Sequence, residues 1–151
     1  MEIKGIQDMY PENYNVCYGC GSKNEHGYQL KTVWEGEETV TRFKPDKVHT
    51  SIPGYVYGGL LASLIDCHGT GSAALARLKE DGKVLGEGKA ERFVTGTLTV
   101  KFLKPTPIDD ELEIRGIIKE IKGRKITIEA RLIAKGEVCV TGEIIAIQLI
   151  D

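Results

Sequence analysis

The sequence lacks the features that mark membrane, secreted and nucleic-acid-binding proteins. No hydrophobic run among its 151 residues approaches the roughly 20 residues that a membrane-spanning helix needs. Its first fifteen residues, MEIKGIQDMYPENYN, contain no apolar segment, so we expect no secretory signal and a cytoplasmic protein. Neither sign of charge dominates, because 20 Lys and Arg residues stand against 22 Asp and Glu residues. This balance argues against nucleic acid or an anionic membrane as a partner.

The spacing of the cysteines is incomplete for a metal site. The chain has four cysteines, of which Cys17 and Cys20 form one CxxC pair. A structural zinc site usually takes four ligands from two such pairs. The second pair is missing, although His26 or His49 could contribute a ligand. We therefore expect free thiols, no bound metal and no cofactor.

The order of the predicted elements indicates one α+β domain. Residues 1–26 show no periodicity and are interpreted as an N-terminal arm that carries the CxxC pair and packs on a single domain of residues 27–151. That domain begins with two strand-like runs around Gly36, followed by a helical pattern from Gly58 to about Leu78. Four further strand-like runs come after the helix.

Hairpin-like turns at Lys122-Gly123-Arg124 and Lys135-Gly136-Glu137 predict an antiparallel sheet. Burying a lone helix is simplest if a sheet of five to six strands wraps around it. Gly69 and Gly71 fall inside the helical pattern, where each costs about 1 kcal/mol relative to alanine. Either the helix is shorter than the pattern, or another segment approaches its backbone closely. In the first strand after the helix, alternation predicts Leu98, Val100 and Phe102 on one face.

The stretch GYVYGGLLASLIDCHG, residues 54–69, places one carboxylate in an apolar helix. As a helical residue, Asp66 shares a face with Ala62 and Ser63, and Gly59 lies two turns earlier. This narrow face of small side chains would let another backbone come close. The alternative is an ordinary aspartate on the solvated face of an amphipathic helix.

Gly58 and Gly59 stand where the helix should begin. A helix N-terminus presents unpaired backbone N–H groups and the positive end of the helix dipole. Glycine lets a ligand approach those N–H groups, which would make an oxyanion hole for a polarised carbonyl. A tight turn into the helix is the simpler explanation of the same two residues.

Gly59 and Asp66 cannot serve one reacting group within one chain. They are seven residues apart, or about 10.5 Å along a helix axis. A catalytic carboxylate must come within about 3–3.5 Å of the atom on which it acts. If both take part in one reaction, Asp66 must meet Gly59 of another subunit, so this interpretation predicts an oligomer.

Three segments together resemble the hotdog-fold acyl-CoA thioesterases, in the phenylacetate-pathway thioesterase branch. CYGCG (17–21) is similar to a Cys-x-Gly-Cys-Gly segment of that family. GYVYGGLLASLID (54–66) is similar to its His-Gly-Gly pattern with an aspartate nine positions after the histidine, except that Tyr57 replaces the histidine. FVTGTLTVKFLKPTP (93–107) is similar to the strand that follows the helix. The resemblance extends over residues 15–149.

The resemblance implies an acyl-CoA thioesterase whose site lies between subunits of a homodimer, or of a tetramer built from two dimers. Asp66 would be the general base or nucleophile, and the Gly59 N–H would bind the thioester carbonyl. Thr95 matches a Ser/Thr position that orients water or the carboxylate, although a strand hydroxyl chosen for β-propensity would look the same. The predicted substrate-binding residues are His49, Tyr57, Gly58 and Ser63.

Two other functions stay open at this stage. A hotdog protein that binds an acyl-CoA or acyl chain without hydrolysing it is favoured by Tyr57 in place of histidine. A dehydratase acting on 3-hydroxyacyl thioesters would need a shorter spacing than the seventeen residues from His49 to Asp66. His68 should point away from Asp66 and be a core or pocket-lining residue. Basic residues for the CoA phosphates are available, but the sequence does not place them: Arg77, Arg92, Lys101, Lys104.

Overall fold

One long helix packs against a six-stranded antiparallel sheet in the computed structural model, which describes residues 2–150. Helix α1 spans Gly58–Glu80, and the strands are β1 (Thr32–Glu35), β2 (Glu38–Phe43), β3 (Phe93–Phe102), β4 (Leu112–Lys122), β5 (Lys125–Ala134) and β6 (Glu137–Gln148). Their order across the sheet is β1-β2-β4-β5-β6-β3. The predicted hotdog fold is confirmed. Within residues 2–150, no helix is both long enough and apolar enough to cross a bilayer.

The predicted turns connect neighbouring strands of the sheet. Gly36 has a φ of +64° in the turn between β1 and β2. Between β5 and β6, Lys135 and Gly136 both have positive φ angles, of +50° and +77°. Two successive positive φ angles define the tight turn whose twist matches an antiparallel hairpin. These turns therefore fix the pairing of neighbouring strands.

Helix α1 contacts all six strands and supplies much of the core. Its two inner glycines mark close approaches of other segments. A Cβ atom at Gly69 would lie 2.5 Å from the Ile144 side chain of β6, and one at Gly71 would lie 2.6 Å from the Gln7 amide. The second of the two explanations given for these glycines is therefore right, because the helix runs unbroken through both positions.

The N-terminal segment is bound into this core. Ile6 and Tyr10 are buried among the residues of the main hydrophobic cluster. The fully buried Gln7 side chain donates from Nε2 to the Thr32 hydroxyl at 2.9 Å and accepts from the Thr32 amide at 2.9 Å. These bonds attach the segment to the first residue of β1.

A β-bulge interrupts β3 at Gly96. Thr95 pairs with Ala146 and Thr97 pairs with Ile145, so Gly96 is an extra residue without a partner on β6. Because side chains alternate along a strand, one extra residue reverses which positions face the helix. Thr95 faces the helix before the bulge, and Val100 packs against the core after it.

Candidate functional site

The start of helix α1 is held by the loop that precedes it. The Tyr57 amide donates to the His49 carbonyl at 2.8 Å, and the Val56 amide donates to the Thr106 carbonyl at 2.9 Å. The Leu60 and Leu61 amides both donate to the Tyr57 carbonyl. The helix therefore begins at Gly58, and helix geometry leaves the first amides, those of Gly58 and Gly59, without an acceptor within the helix.

One stripe of the first helical turns is accessible. Gly59 is exposed, and Ala62, Ser63 and Asp66 are half-buried, whereas the leucine and isoleucine residues between them are buried. This is the small-residue face predicted from the sequence. The Ser63 hydroxyl donates to the Gly59 carbonyl at 2.9 Å, so it is engaged within its own helix.

The Asp66 carboxylate meets the Thr95 hydroxyl, which donates a hydrogen bond to its Oδ1 atom. Among residues 2–150, no lysine, arginine or histidine forms an ion pair with Asp66. A half-buried carboxylate with one oxygen held by a hydroxyl is oriented without being neutralised. Such a group is able to accept a proton from water or attack an electrophilic carbon.

Tyr57 occupies the position where the family pattern has histidine, and its ring lies against Gly59. A Cβ atom at Gly59 would come within 2.6 Å of the Tyr57 ring and hydroxyl. The Tyr57 side chain is also 58% exposed, so its ring borders on solvent. Gly59 therefore makes room for this ring, and the ring covers part of the approach to the start of the helix.

An aromatic cluster that the sequence pattern did not predict lies next to this helix end. The Tyr28 ring lies 5.0 Å from Tyr18, 5.4 Å from Phe43 and 5.6 Å from His49, centroid to centroid. His49 also accepts the Asp46 amide at Nδ1, at 2.8 Å. The structure therefore places His49 in a cluster of aromatic rings next to the start of the helix, where the His49 carbonyl accepts the Tyr57 amide.

His68 belongs to the core, as its position on the helix predicted. Its ring is fully buried, with Nδ1 2.9 Å from the Thr41 hydroxyl and Nε2 3.3 Å from the hydroxyls of Thr39 and Ser72. Burial disfavours the charged imidazolium and lowers the pKa of His68 from 6.5 to about 3. The side chain is therefore a neutral hydrogen-bonding group inside the fold.

We expect acid to destabilise the protein through His68. The unfolded chain protonates this histidine below pH 6.5, whereas the folded chain keeps it neutral down to about 3, so the unfolded state binds more protons between these values. The stabilising contribution is complete above 6.5 and decreases as pH falls, by about 1.4 kcal/mol per pH unit. The free energy of unfolding, measured with urea at about pH 7 and about pH 5, should decrease less between these pH values in His68→Gln than in the native chain. An equal decrease in both proteins would contradict this prediction.

The four basic residues considered for CoA phosphates differ in their availability. Arg77 pairs with Glu80, and Lys104 pairs with Glu137. Arg92 donates to the Tyr14 carbonyl at 3.2 Å and is half-buried. Lys101 makes no ion pair among the described residues and lines a groove on the outer face of the sheet with Arg131 and Glu143. Arg77 and Lys104 are therefore already paired with carboxylates of the same chain.

Comparison with known proteins gives the family. Residues 53–141 match the thioesterase superfamily. A thioesterase superfamily protein from Shewanella loihica PV-4 is 44% identical, with 84% of this chain and 96% of that chain covered and a TM-score of 0.68. No curated protein sequence matches the chain.

More distant structures share the fold alone. Thioesterase HI1161 of Haemophilus influenzae is 11% identical, with 86% and 85% of the two chains covered and a TM-score of 0.67. The PaaI protein from the phenylacetic acid degradation operon of E. coli is 11% identical, with 81% and 80% covered and a TM-score of 0.64. The family match extends over more than half of the chain and includes the whole of helix α1. The chain belongs to the thioesterase superfamily.

Proposed function

We propose that the protein hydrolyses acyl-CoA thioesters to a carboxylic acid and CoA. The observation that carries the proposal is the half-buried Asp66 carboxylate, oriented by the Thr95 hydroxyl on an accessible stripe of a helix whose first amides lack an acceptor within the helix. Membership of the thioesterase superfamily supports the same chemistry. The cytoplasmic location expected from the sequence stays a prediction.

The proposed site is shared between two subunits. Within one chain the rise of the helix still separates Gly59 from Asp66 by about 10.5 Å. Strand β3 is the edge of the sheet next to this site, and it pairs only with β6 among the described residues. Its exposed side chains include Val94, Leu98 and Phe102. An edge strand with unpaired backbone groups favours pairing with a second copy of the same strand.

Pairing two β3 strands about a two-fold axis would also bring the two small-residue stripes together. Thr95 of β3 is bonded to Asp66, so the stripe lies close to the edge that pairs. Antiparallel helices in contact through Gly59, Ala62 and Ser63 would set each Asp66 toward the start of the other helix. The dimer would contain two equivalent sites, and further pairing into tetramers remains a prediction.

In the proposed reaction, Asp66 takes a proton from water while the water oxygen bonds to the thioester carbon. Negative charge develops on the carbonyl oxygen, where the Gly59 amide of the partner subunit and the helix dipole stabilise it. Collapse of the tetrahedral intermediate breaks the C–S bond. The CoA thiolate leaves and takes up the proton, and the carboxylic acid is released.

Asp66 could instead attack the carbonyl carbon directly. This route forms a mixed anhydride and expels CoA before water hydrolyses the anhydride. In a single turnover in ¹⁸O-labelled water, label on Asp66 would identify the anhydride route, because the label enters the enzyme only when water attacks the aspartyl carbon. Both routes use the same two residues.

A second candidate function is acyl-CoA binding without turnover. The position of the Tyr57 ring against Gly59 favours it, because the ring covers part of the approach to the start of the helix. The Tyr57 side chain is 58% exposed, so another rotamer would carry the ring into solvent, which is why hydrolysis is the first proposal.

The experiment is a panel of short-chain, long-chain and aromatic acyl-CoAs incubated with the purified protein. We expect saturable release of free CoA from at least one member, measured by chromatography. Tight binding without CoA release would overturn hydrolysis in favour of the binding function. Loss of water from a 3-hydroxyacyl-CoA, with the thioester intact, would identify a dehydratase.

A further inference from the structure

Three cysteines from two segments of the chain lie close together, and one of them is the helix residue that follows Asp66. Cys17 and Cys20 come from the N-terminal segment, and Cys67 follows Asp66 on helix α1. Their sulfur atoms all lie within 4.8 Å of one another. Cys20 and Cys67 are buried, Cys17 is half-buried, and all three are free thiols. The expectation of no metal was based on the CxxC pair and two histidines, and it did not include Cys67.

We propose that Cys17, Cys20 and Cys67 bind one Zn²⁺ ion through three thiolates, with water as the fourth ligand. Zinc bonds thiolate sulfur at about 2.3 Å, so two sulfurs of a tetrahedral site stand about 3.8 Å apart. The Cys17 and Cys67 sulfurs are 3.9 Å apart. Thiolate sulfur selects zinc and other thiophilic ions over magnesium or calcium, which prefer oxygen.

The CYGCG loop is shaped to bring these sulfurs together. A Cβ atom at Gly19 would lie 2.4 Å from the Cys67 sulfur, so only glycine leaves that sulfur its place. A Cβ atom at Gly21 would lie 2.4 Å from the Cys17 backbone nitrogen. The Gly21 amide donates to the Cys17 carbonyl at 2.8 Å and closes the loop. The two glycines are therefore needed for the approach of the three thiols.

Tyr10 and Arg92, near the three thiols, fit a zinc site with a bound water and a net negative charge. Tyr10 is buried, its hydroxyl has no hydrogen-bond partner among the described residues, and it lies within electrostatic range of all three thiols. A zinc-bound water would give this hydroxyl a partner. Three thiolates and one Zn²⁺ carry a net charge of −1. The Arg92 guanidinium lies 4.7 Å from the centre of the Tyr10 ring and interacts electrostatically with Cys20. Its charge offsets that of the complex.

The histidines considered earlier are not part of this group. His26 is exposed, and His49 uses Nδ1 to accept the Asp46 amide. The proposed ion therefore links the arm to the helix through three sulfurs, one residue beyond Asp66. Its role is structural, because it would fix the loop and the helix against each other at the level of the candidate catalytic carboxylate.

Zinc titration of the full-length, reduced protein tests this proposal. In competition with a chromogenic chelator we expect one Zn²⁺ bound per chain, and metal analysis of protein purified without chelator should find zinc at the same stoichiometry. Co²⁺ in place of zinc should give a thiolate-to-cobalt charge-transfer band. Cys67→Ser and the less buried Cys17→Ser should each abolish stoichiometric binding and weaken the band.

Cys139 provides the matched control. Cys139 is buried, as Cys20 and Cys67 are, but it is not among the three clustered thiols, so Cys139→Ala should bind zinc as the native chain does. Absence of saturable zinc binding by the native chain would overturn the proposal, as would copper in place of zinc in the purified protein. So would a disulfide, seen as two of the four cysteine thiols missing after unfolding without reductant. None of these measurements depends on thioester hydrolysis.

Discussion

Replacing Asp66 by asparagine should lower kcat for acyl-CoA hydrolysis by about 100- to 10,000-fold, the usual contribution of a positioned general base. Asparagine keeps an oxygen that accepts the Thr95 hydroxyl, so the fold should be retained. KM should change little, because the carboxylate acts on water or on the thioester carbon and not on the bulk of the substrate. Steady-state kinetics on the best substrate of the panel measures both constants.

Two further substitutions calibrate that result. Thr95→Val removes the hydroxyl at constant shape and should cost about 10- to 100-fold in kcat, in line with a hydrogen bond to a charged group. Asp81→Asn is the control, because Asp81 is an exposed aspartate at the far end of the same helix and should leave both constants unchanged. Activity of Asp66→Asn within a few-fold of the native chain would remove Asp66 from the mechanism.

A heterodimer of two inactive variants should regain about half of the native activity. One subunit would carry Asp66→Asn and the other Gly59→Pro, which removes the proposed oxyanion N–H. Proline is tolerated in the first helical turn, and its Cβ atom requires the exposed Tyr57 ring to move aside. If each site combines Gly59 of one subunit with Asp66 of the other, one of the two sites contains both native residues. The other site contains neither.

Differently tagged subunits, coexpressed and purified through both tags, provide this heterodimer. Each parent homodimer should lose about 100-fold or more in kcat. A heterodimer no more active than its parents would show that Gly59 of one subunit and Asp66 of the other do not form one site. Turnover by a monomer, identified by light scattering, would refute the shared site directly.

The helix and the sheet could be predicted because their signals are local. Helical spacing extends from Gly58 to Leu78, and the helix ends only two residues later, at Glu80. Alternation and glycine turns gave all six strands, because both depend on residues adjacent in sequence. The side-chain bond between Asp66 and Thr95 was expected only from the family resemblance, since no spacing rule connects a helix to a later strand.

Contacts between segments that are distant in sequence could not be predicted. Cys67 stands 47 residues after Cys20, and nothing in the helical pattern shows which segment covers its buried side. The position of the Tyr57 ring against Gly59 depends on one side-chain rotamer. The aromatic cluster brings together the N-terminal segment, β2 and the loop before the helix, and only the folded chain defines that meeting point.

Because of the bulge at Gly96, the number of residues in β3 determines which of its side chains face the helix. Residues on either side of it point to the helix only because one unpaired residue separates them. Deleting that residue would restore regular pairing and send either Thr95 or the later core positions to the opposite face. Relatives that differ here by a single insertion or deletion would therefore differ in catalytic geometry even with every other amino acid the same. Substitution counts alone would not reveal that difference.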